Sequence, residues 1–420
     1  MQATKSATQP SRNDALDTLL GDCLTMTYNA VHYGRQNRIT NRKGMKEFYR
    51  SLRETDLPSC YKVAAITRAC AVLKSREKSE KRRVIVSHHQ PLRRMICITS
   101  GFFISAKGRL FIPLKRDKYT DVQLNHHLQE KLAGTKVRSL TITPDSLSLC
   151  FSGKVEPIEV RIVYGVDRNE KNLTFGNRDG VVQIDMSETV RIKQTTREIL
   201  GSFKRNDVRV GRKLASKYWK RATDRTNQML HAAANLTIDL AAKSGAALAV
   251  EDLTGISRMY RKGNAPRPDY RFRLNSWPYR KVHRMLEYKA TWKGVTLIPL
   301  TKAETYGSSM VHHACGERLR RPEKGDIVHR RMLWCQPCKT WVDRDANAAV
   351  VLSLRGLAWF ASSLPRPGSR LQQVSVQAGE KGLAGEAMKG NPTKPVILRV
   401  DASKLACGPM VYNPSHASSS

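Results

Sequence analysis

The stretch Val160-Arg-Ile-Val-Tyr-Gly-Val-Asp-Arg-Asn-Glu-Lys-Asn-Leu-Thr-Phe-Gly-Asn-Arg-Asp-Gly-Val-Val-Gln-Ile184 decides how this chain folds. Its first apolar run, Val160–Val166, reads as a buried strand that stops at Asp167. Asn172–Phe175 and Val181–Ile184 follow as shorter strands, and Asn177-Arg-Asp-Gly180 supplies hairpin-turn residues between them. Outward from this meander, a helical pattern covers about Thr189 to Lys243, with Gly201 and Gly211 as the places for a break. Ala246–Val250 is another buried strand, and Val295–Pro299 a further one. Three strands in a meander, then helix, strand, helix, strand, is the order of an RNase H-like α/β sheet.

Carboxylates mark the ends of these strands. Asp167 follows Ile162-Val-Tyr-Gly-Val166, and Glu251 follows Ala246-Ala-Leu-Ala-Val250. A third acid lies in Val342-Asp-Arg-Asp-Ala-Asn-Ala-Ala349, which opens a helix that packs back on the sheet. Phosphodiester hydrolysis by two metals needs such a set, because hard carboxylate oxygens hold two Mg²⁺ ions about 3.5–4 Å apart. One such acid after a strand is common on any surface; three in this order are not. Asp252 points to the opposite face from Glu251 on an extended strand. Asp343 and Asp345 both remain open for the third position, with helix capping as the other role for Asp343.

A second constellation is cysteine-based. Cys335-Gln-Pro-Cys338 has the spacing of a metal knuckle, and His312-His-Ala-Cys315 repeats it with histidine first. The separation between the two half-sites suits a zinc ribbon, and the spacing favours His312 over His313. Four closed ligands imply a structural Zn²⁺ coupled to folding rather than a catalytic one. Cys23, Cys60, Cys70, Cys97, Cys150 and Cys407 are scattered singly and read as buried thiols acting as small hydrophobes.

The remainder is read from texture and charge. Residues 11 to about 84 are helical, with Leu16, Leu19, Leu20, Cys23 and Leu24 at helix spacing. Short β-rich runs then appear at Met95–Thr99, Phe102–Ser105, Leu110–Leu114, Val137–Ile142 and Leu147–Phe151. They suggest a small barrel or sandwich, with a short helix near Asp121–Leu132. Residues 364–420 are rich in Pro, Gly and Ser, and are expected to form a flexible tail. Of the 420 residues, 73 are Lys or Arg against 36 acidic ones, a formal charge of +37. Such an excess calls for a polyanion, and nucleic acid is the natural one. No apolar run is long enough to span a membrane, and no secretory h-region opens the chain, so a cytoplasmic protein is expected.

Together Gly165-Val-Asp167, Val250-Glu-Asp-Leu253, Leu274-Asn-Ser-Trp-Pro-Tyr-Arg280, the cysteine knuckles and Asp343-Arg-Asp-Ala-Asn-Ala-Ala349 resemble the TnpB family. These are transposon-encoded relatives of type V CRISPR effectors. The resemblance is specific over roughly residues 160–355 and general in layout before them. It implies a multidomain α+β protein. That layout has a helical recognition region (1–84) and a β-barrel wedge domain (85–158). A RuvC-like nuclease domain (159–306 and 342–363) follows, split by a zinc-ribbon insert (307–341), and a flexible basic tail (364–420) ends the chain. It also implies a monomeric RNA-guided DNA endonuclease from an insertion sequence, with a guide RNA from the transposon end. Such a protein cuts double-stranded DNA next to a short adjacent motif.

The Asp-x-Asn spacing to Asn347 matches the family at Asp345, so Asp167, Glu251 and Asp345 fall on its catalytic Mg²⁺ positions. His312, Cys315, Cys335 and Cys338 fall on its Zn²⁺ positions. The chain departs from the family in a histidine at the first zinc position, and in Arg-Asn-Glu after Asp167 where x-Gly is commoner. It also shows no β-strand ahead of its first helix. Trp277, Trp292, Tyr270 and Tyr279, interleaved with Arg271, Arg273, Arg280 and Lys281, read equally as a nucleic-acid channel and as core packing. Two other functions compete: an RNA-guided repressor that binds without cutting, and an RNA-free junction nuclease. The first expects a lost acid; the second leaves the N-terminal half and the knuckles without a role.

Overall fold

The computed structural model describes residues 2–83, 92–106, 108–115, 117–203, 213–256, 268–323, 326, 328–329, 331–363 and 395–405. It is a mixed α/β molecule divided into two compact units, residues 2–154 and the chain from Val155 onward. Among the described residues no helix is long and apolar enough to cross a membrane.

The first unit runs β1 (Gln2–Pro10), α1 (Asp14–Gln36), α2 (Lys46–Ser51), α3 (Ser59–Lys81), β2 (Ile96–Thr99) and β3 (Ile104–Ala106). It continues with β4 (Arg109–Lys115), β5 (Lys118–Gln123), α4 (His126–Leu132), β6 (Lys136–Thr143) and β7 (Ser146–Lys154). Two antiparallel sheets result, one ordered β1-β7-β6-β2 and one β3-β4-β5. Strand β1 corrects the expectation that the chain opens on a helix. It pairs with β7 along its whole length, from Gln2↔Lys154 to Pro10↔Ser146. Its buried side chains are only Ala3, Ala7 and Gln9, so the strand is held by backbone pairing and carries little β-branched signature. β5 is a second correction, since its last residues were expected to start a helix. They pair with β4 instead, and α4 begins after Asn125, whose side chain accepts from Leu128 N at 2.9 Å.

Cys23, Cys60 and Cys70 are buried among the helices, and burial pushes the Cys23 thiol up to about 12 and Cys60 to about 11. Cys97 is exposed, against expectation, because it lies on the outer face of β2 between buried Ile96 and Ile98. Cys407 lies outside the described residues.

The second unit runs β8 (Ile162–Arg168), β9 (Asn172–Gly176), β10 (Gly180–Asp185), α5 (Ser187–Ser202), α6 (Ala215–Lys243), β11 (Ala246–Glu251), α7 (Pro268–Ser276) and α8 (Tyr279–Lys293). It ends with β12 (Leu297–Leu300), α9 (Lys302–Thr305), β13 (Met332–Cys335), β14 (Thr340–Asp343), α10 (Arg344–Ser363), β15 (Val396–Asp401) and α11 (Ala402–Leu405). Its main sheet has the order β12-β11-β8-β9-β10-β15. The meander β8-β9-β10 is antiparallel, while β11, β12 and β15 join in parallel.

Alternation along the strands sorts the two faces. Tyr164, Val166, Leu248 and Val250 share one cluster with Ala233 of α6 and Leu286 of α8. Val163, Ala247 and Ala249 share the other with Leu352 of α10. Helix α10 lies directly on backbone at Gly165, where a Cβ would be 2.0 Å from the Ala349 carbonyl oxygen. Ser353 Oγ donates to the Val163 carbonyl at 2.7 Å across the same approach. Between α5 and α6, the expected break at Gly211 and the basic residues Lys204, Arg205, Arg209 and Arg212 lie outside the described residues. Lys217, Lys220, Arg221 and Arg225 are exposed along α6.

The expected C-terminal tail is partly wrong. Residues 396–401 pair with β10 from Gly180↔Val396 to Asp185↔Asp401, and Ala402 is fully buried. The run Val-Ile-Leu-Arg-Val is a strand pattern too short to lift the average of a 57-residue segment rich in Pro, Gly and Ser. Residues 364–394 and 406–420 lie outside the described residues.

Candidate metal centres

The first centre forms where chain ends of the main sheet meet α10. β8 and β11 pair with Val166 opposite Val250, so Asp167 and Glu251 are the next residue on each strand. By the same alternation, both belong to the face that α10 covers. Asp345 enters that face from the first turn of α10, with its side chain 2% exposed. Desolvation, followed by the charges of Glu251 and Asp345, pushes the Asp167 carboxyl up to about 8. Desolvation also raises Glu251, against the opposing charge of Arg168. The three acids are therefore close enough to repel one another, an arrangement that a cation relieves.

Side chains that the sequence did not single out hold these acids. Asn169 Nδ2 donates to Asp167 Oδ2 at 2.7 Å, and Asn172 Nδ2 donates to Asp345 Oδ2 at 2.9 Å. Asn169 lies in the polar β8–β9 turn and Asn172 opens β9, positions where composition signals only a turn and a strand end. Arg331 Nη1 pairs with Asp345 Oδ2 at 2.6 Å. Asp345 Oδ1 is buried with no hydrogen-bond partner, 3.5 Å from Arg344 Nε. A buried carboxylate oxygen without a donor is costly, and the all-oxygen donor set suits a hard divalent cation.

The neighbouring acids are otherwise engaged. Asp343 Oδ1 accepts from the backbone N–H of Asp345 and of Ala346, both at 3.0 Å, which makes it the N-cap of α10. It also accepts from Gln183 Nε2 at 2.8 Å. The Asp252 carboxylate accepts from Thr254 N and Thr254 Oγ1, both at 2.7 Å.

The second centre lies between α9 and α10. Cys335 ends β13 and Cys338 sits in the β13–β14 turn, while Val311–Arg320 form a loop bridged to β13 through Arg320↔Trp334. Trp334 and Trp341, opposite each other on the hairpin, pack with ring centroids 5.3 Å apart. The ligand atoms of His312, Cys315, Cys335 and Cys338 all lie within 4.8 Å of one another. Zn–S bonds of about 2.3 Å at tetrahedral angles separate donors by about 3.8 Å, so small shifts of these side chains would fit the site to Zn²⁺. After the second ligand of each knuckle the backbone turns left-handed, at Gly316 (φ 76°) and at Lys339 (φ 45°).

His313 is directed elsewhere. Its Nδ1 is 3.1 Å and its backbone N 3.0 Å from Asn347 Oδ1, and Asn347 Nδ2 donates to the Val311 carbonyl at 2.7 Å. Asn347 thus ties the loop that carries His312 and Cys315 to the helix that carries Asp345. Of the aromatics read as a possible channel, Tyr279 is buried, its ring tilted against Trp277 with centroids 5.3 Å apart, and Tyr270 is exposed.

Comparison with known proteins agrees with this picture. The family described as Cas12f1-like, TNB domain matches residues 279–352, from α8 through the Cys/His cluster into α10. A TnpB-like protein of Methanocaldococcus jannaschii is 28% identical over 238 residues, covering 54% of this chain and 81% of that protein. Both matches support a likeness to the TnpB family, and the Cys/His cluster lies inside the stretch that the family model covers.

Proposed function

We propose that this chain is an RNA-guided DNA endonuclease of an insertion sequence, with Asp167, Glu251 and Asp345 as the metal-binding acids of a RuvC-like site. The observation that carries the reading is the meeting of these three carboxylates at one end of the main sheet. The formal charge of +37 supports a nucleic-acid partner, and likeness to a TnpB-like protein supports nuclease chemistry. In this reading residues 159–306 and 342–363 form the nuclease domain and 307–341 the zinc ribbon. Residues 1–84 and 85–158 read the motif beside the target. Base pairing to the guide supplies sequence specificity, and the basic chain holds the heteroduplex by its backbone.

Two Mg²⁺ ions, when bound, would supply the hydroxide nucleophile and stabilise the departing 3′ oxygen. The chain's own residues hold the ligands for them. Asp167 and Glu251 come from paired strands whose register fixes their spacing. Asn169 and Asn172 each anchor one carboxylate, and Arg331 balances the Asp345 charge until a cation replaces it.

The test is to express the chain with its native flanking DNA, purify it, and sequence the RNA that stays bound. One discrete RNA ending in a variable segment is expected, with Mg²⁺-dependent cutting of DNA matching that segment. Asp345→Ala should abolish cutting while RNA and target still bind. A guide without cutting by the wild type leaves an RNA-guided repressor. Cutting with only random RNA leaves a junction nuclease.

A further inference from the structure

The carboxyl ends of β8, β11 and β12 open toward α8 into a cavity of about 430 Å³. Ligands of open α/β sheets bind in the crevice outside such strand ends. Arg168, Arg280, His283 and Arg284 line it, and so does Glu251. Arg168 is 3% exposed and donates through Nη2 to the Glu251 backbone carbonyl. Its Nε remains buried without a hydrogen-bond partner among the described residues, as does His283 Nδ1. Arg168 Nε is a donor that lacks an acceptor, and His283 in its Nδ1–H tautomer offers a second donor beside the same cavity.

Three acids border the same space. Asp252 is engaged by Thr254, and Glu287 lies on the exposed side of α8. A cation on Glu251 leaves three guanidinium groups against those two carboxylates, a surplus that suits an anion. Guanidinium forks match the oxygens of a phosphate better than those of any neutral group.

We infer that this cavity is a phosphodiester subsite. It holds a phosphate of the nucleic-acid strand beside the one at Asp167, Glu251 and Asp345, with buried Arg168 and half-buried His283 as donors and Arg280 and Arg284 as exposed cations. The inference rests on the nuclease reading and adds the grip on the strand. Arg168 directly follows Asp167 on β8, which sets it on the opposite face of the strand from that carboxylate.

The test is a nuclear magnetic resonance titration of the full chain with the dinucleotide dTpdT, with Ca²⁺ in place of Mg²⁺ so that nothing is cut. The His283 ring-nitrogen resonances, identified by their loss in His283→Gln, are expected to move. They should stay still with the methylphosphonate analogue, whose linkage carries no charge. Replacing Arg280 and Arg284 together by alanine should weaken the response about tenfold, the effect of one lost charged hydrogen bond. These exposed residues carry the test because replacing Arg168 also removes its bond to the Glu251 carbonyl. Equal responses to both dinucleotides, no response at His283, or unchanged affinity in the double variant overturns the subsite. Cutting in Mg²⁺, scored in parallel, separates the two claims. A chain that answers dTpdT but never cuts keeps the subsite and loses the nuclease reading, whereas one that cuts without the His283 response loses only the subsite.

Discussion

Asp167→Asn should make the magnesium-free protein more stable at pH 8 while removing its activity. The Asp167 carboxyl moves from its ordinary 3.8 up to about 8, through desolvation and then the charges of Glu251 and Asp345. Between about pH 4 and 8 the folded state therefore holds a proton that the unfolded chain has released. Unfolding free energy must fall as pH rises through that window. At about 1.4 kcal/mol per tenfold change in proton affinity, the full cost is on the order of 5 kcal/mol. Water reaching this half-buried side chain screens part of it, leaving about 2–3 kcal/mol. Asparagine keeps the shape and never ionises, so its melting temperature should be nearly flat over the window. At pH 8 it should exceed the wild type by roughly 5–10 °C. The assay is calorimetry at pH 5 and pH 8 in magnesium-free buffer that leaves zinc in place. Added Mg²⁺ at about 100 times its Kd should restore about 2.7 kcal/mol to the wild type and little to the variant. Equal pH slopes for the two proteins, or an asparagine variant that melts lower at pH 8, would refute the account of three mutually repelling acids.

Other substitutions probe the frame around that site. Lys339→Gly relieves a left-handed turn that a side chain disfavours, and should stabilise the protein by about 1 kcal/mol in a thermal melt with zinc content unchanged. Gly165→Ala places a Cβ 2.0 Å from the Ala349 carbonyl, so it should destabilise by about 3 kcal/mol and weaken Mg²⁺ binding by calorimetry. Wild-type stability in that variant would mean that α10 shifts freely. Cys335→Ser removes a fully buried ligand, and should lower zinc content and folded yield together; a folded, zinc-free variant would contradict the structural role.

What the sequence made legible was set by periodicity and by chemically rare residues. Val160–Val166 and Ala246–Val250 announce themselves because strands buried on both faces are apolar throughout. The knuckles are equally plain, since paired cysteines at fixed spacing have few other uses. Strand β1 was invisible because its inward positions are Ala3, Ala7 and Gln9, and its stability resides in a partner more than 130 residues away. Strand β15 was hidden by the composition around it. Spacing to Asn347 favours Asp345 over Asp343 by resemblance, and the two backbone N–H bonds that Asp343 accepts give the physical reason. Asn172, Arg331 and Arg168 carry no local signal at all, because each matters through a contact with a residue elsewhere in the chain.

Strand β15 also bears on how the protein is made. Its partner β10 is complete at Asp185, yet the pairing cannot form until Asp401 has been synthesised. At about 5–20 residues per second, that interval is on the order of ten to forty seconds. Throughout it, Val-Val-Gln-Ile of β10 presents an unpaired strand edge to every other nascent chain on the same message. A ribosome that stalls or a transcript that ends early in the last stretch therefore yields a sheet with a permanently open side. The supply of folded protein then depends on translation running past Asp401 as much as on the residues of β10 itself.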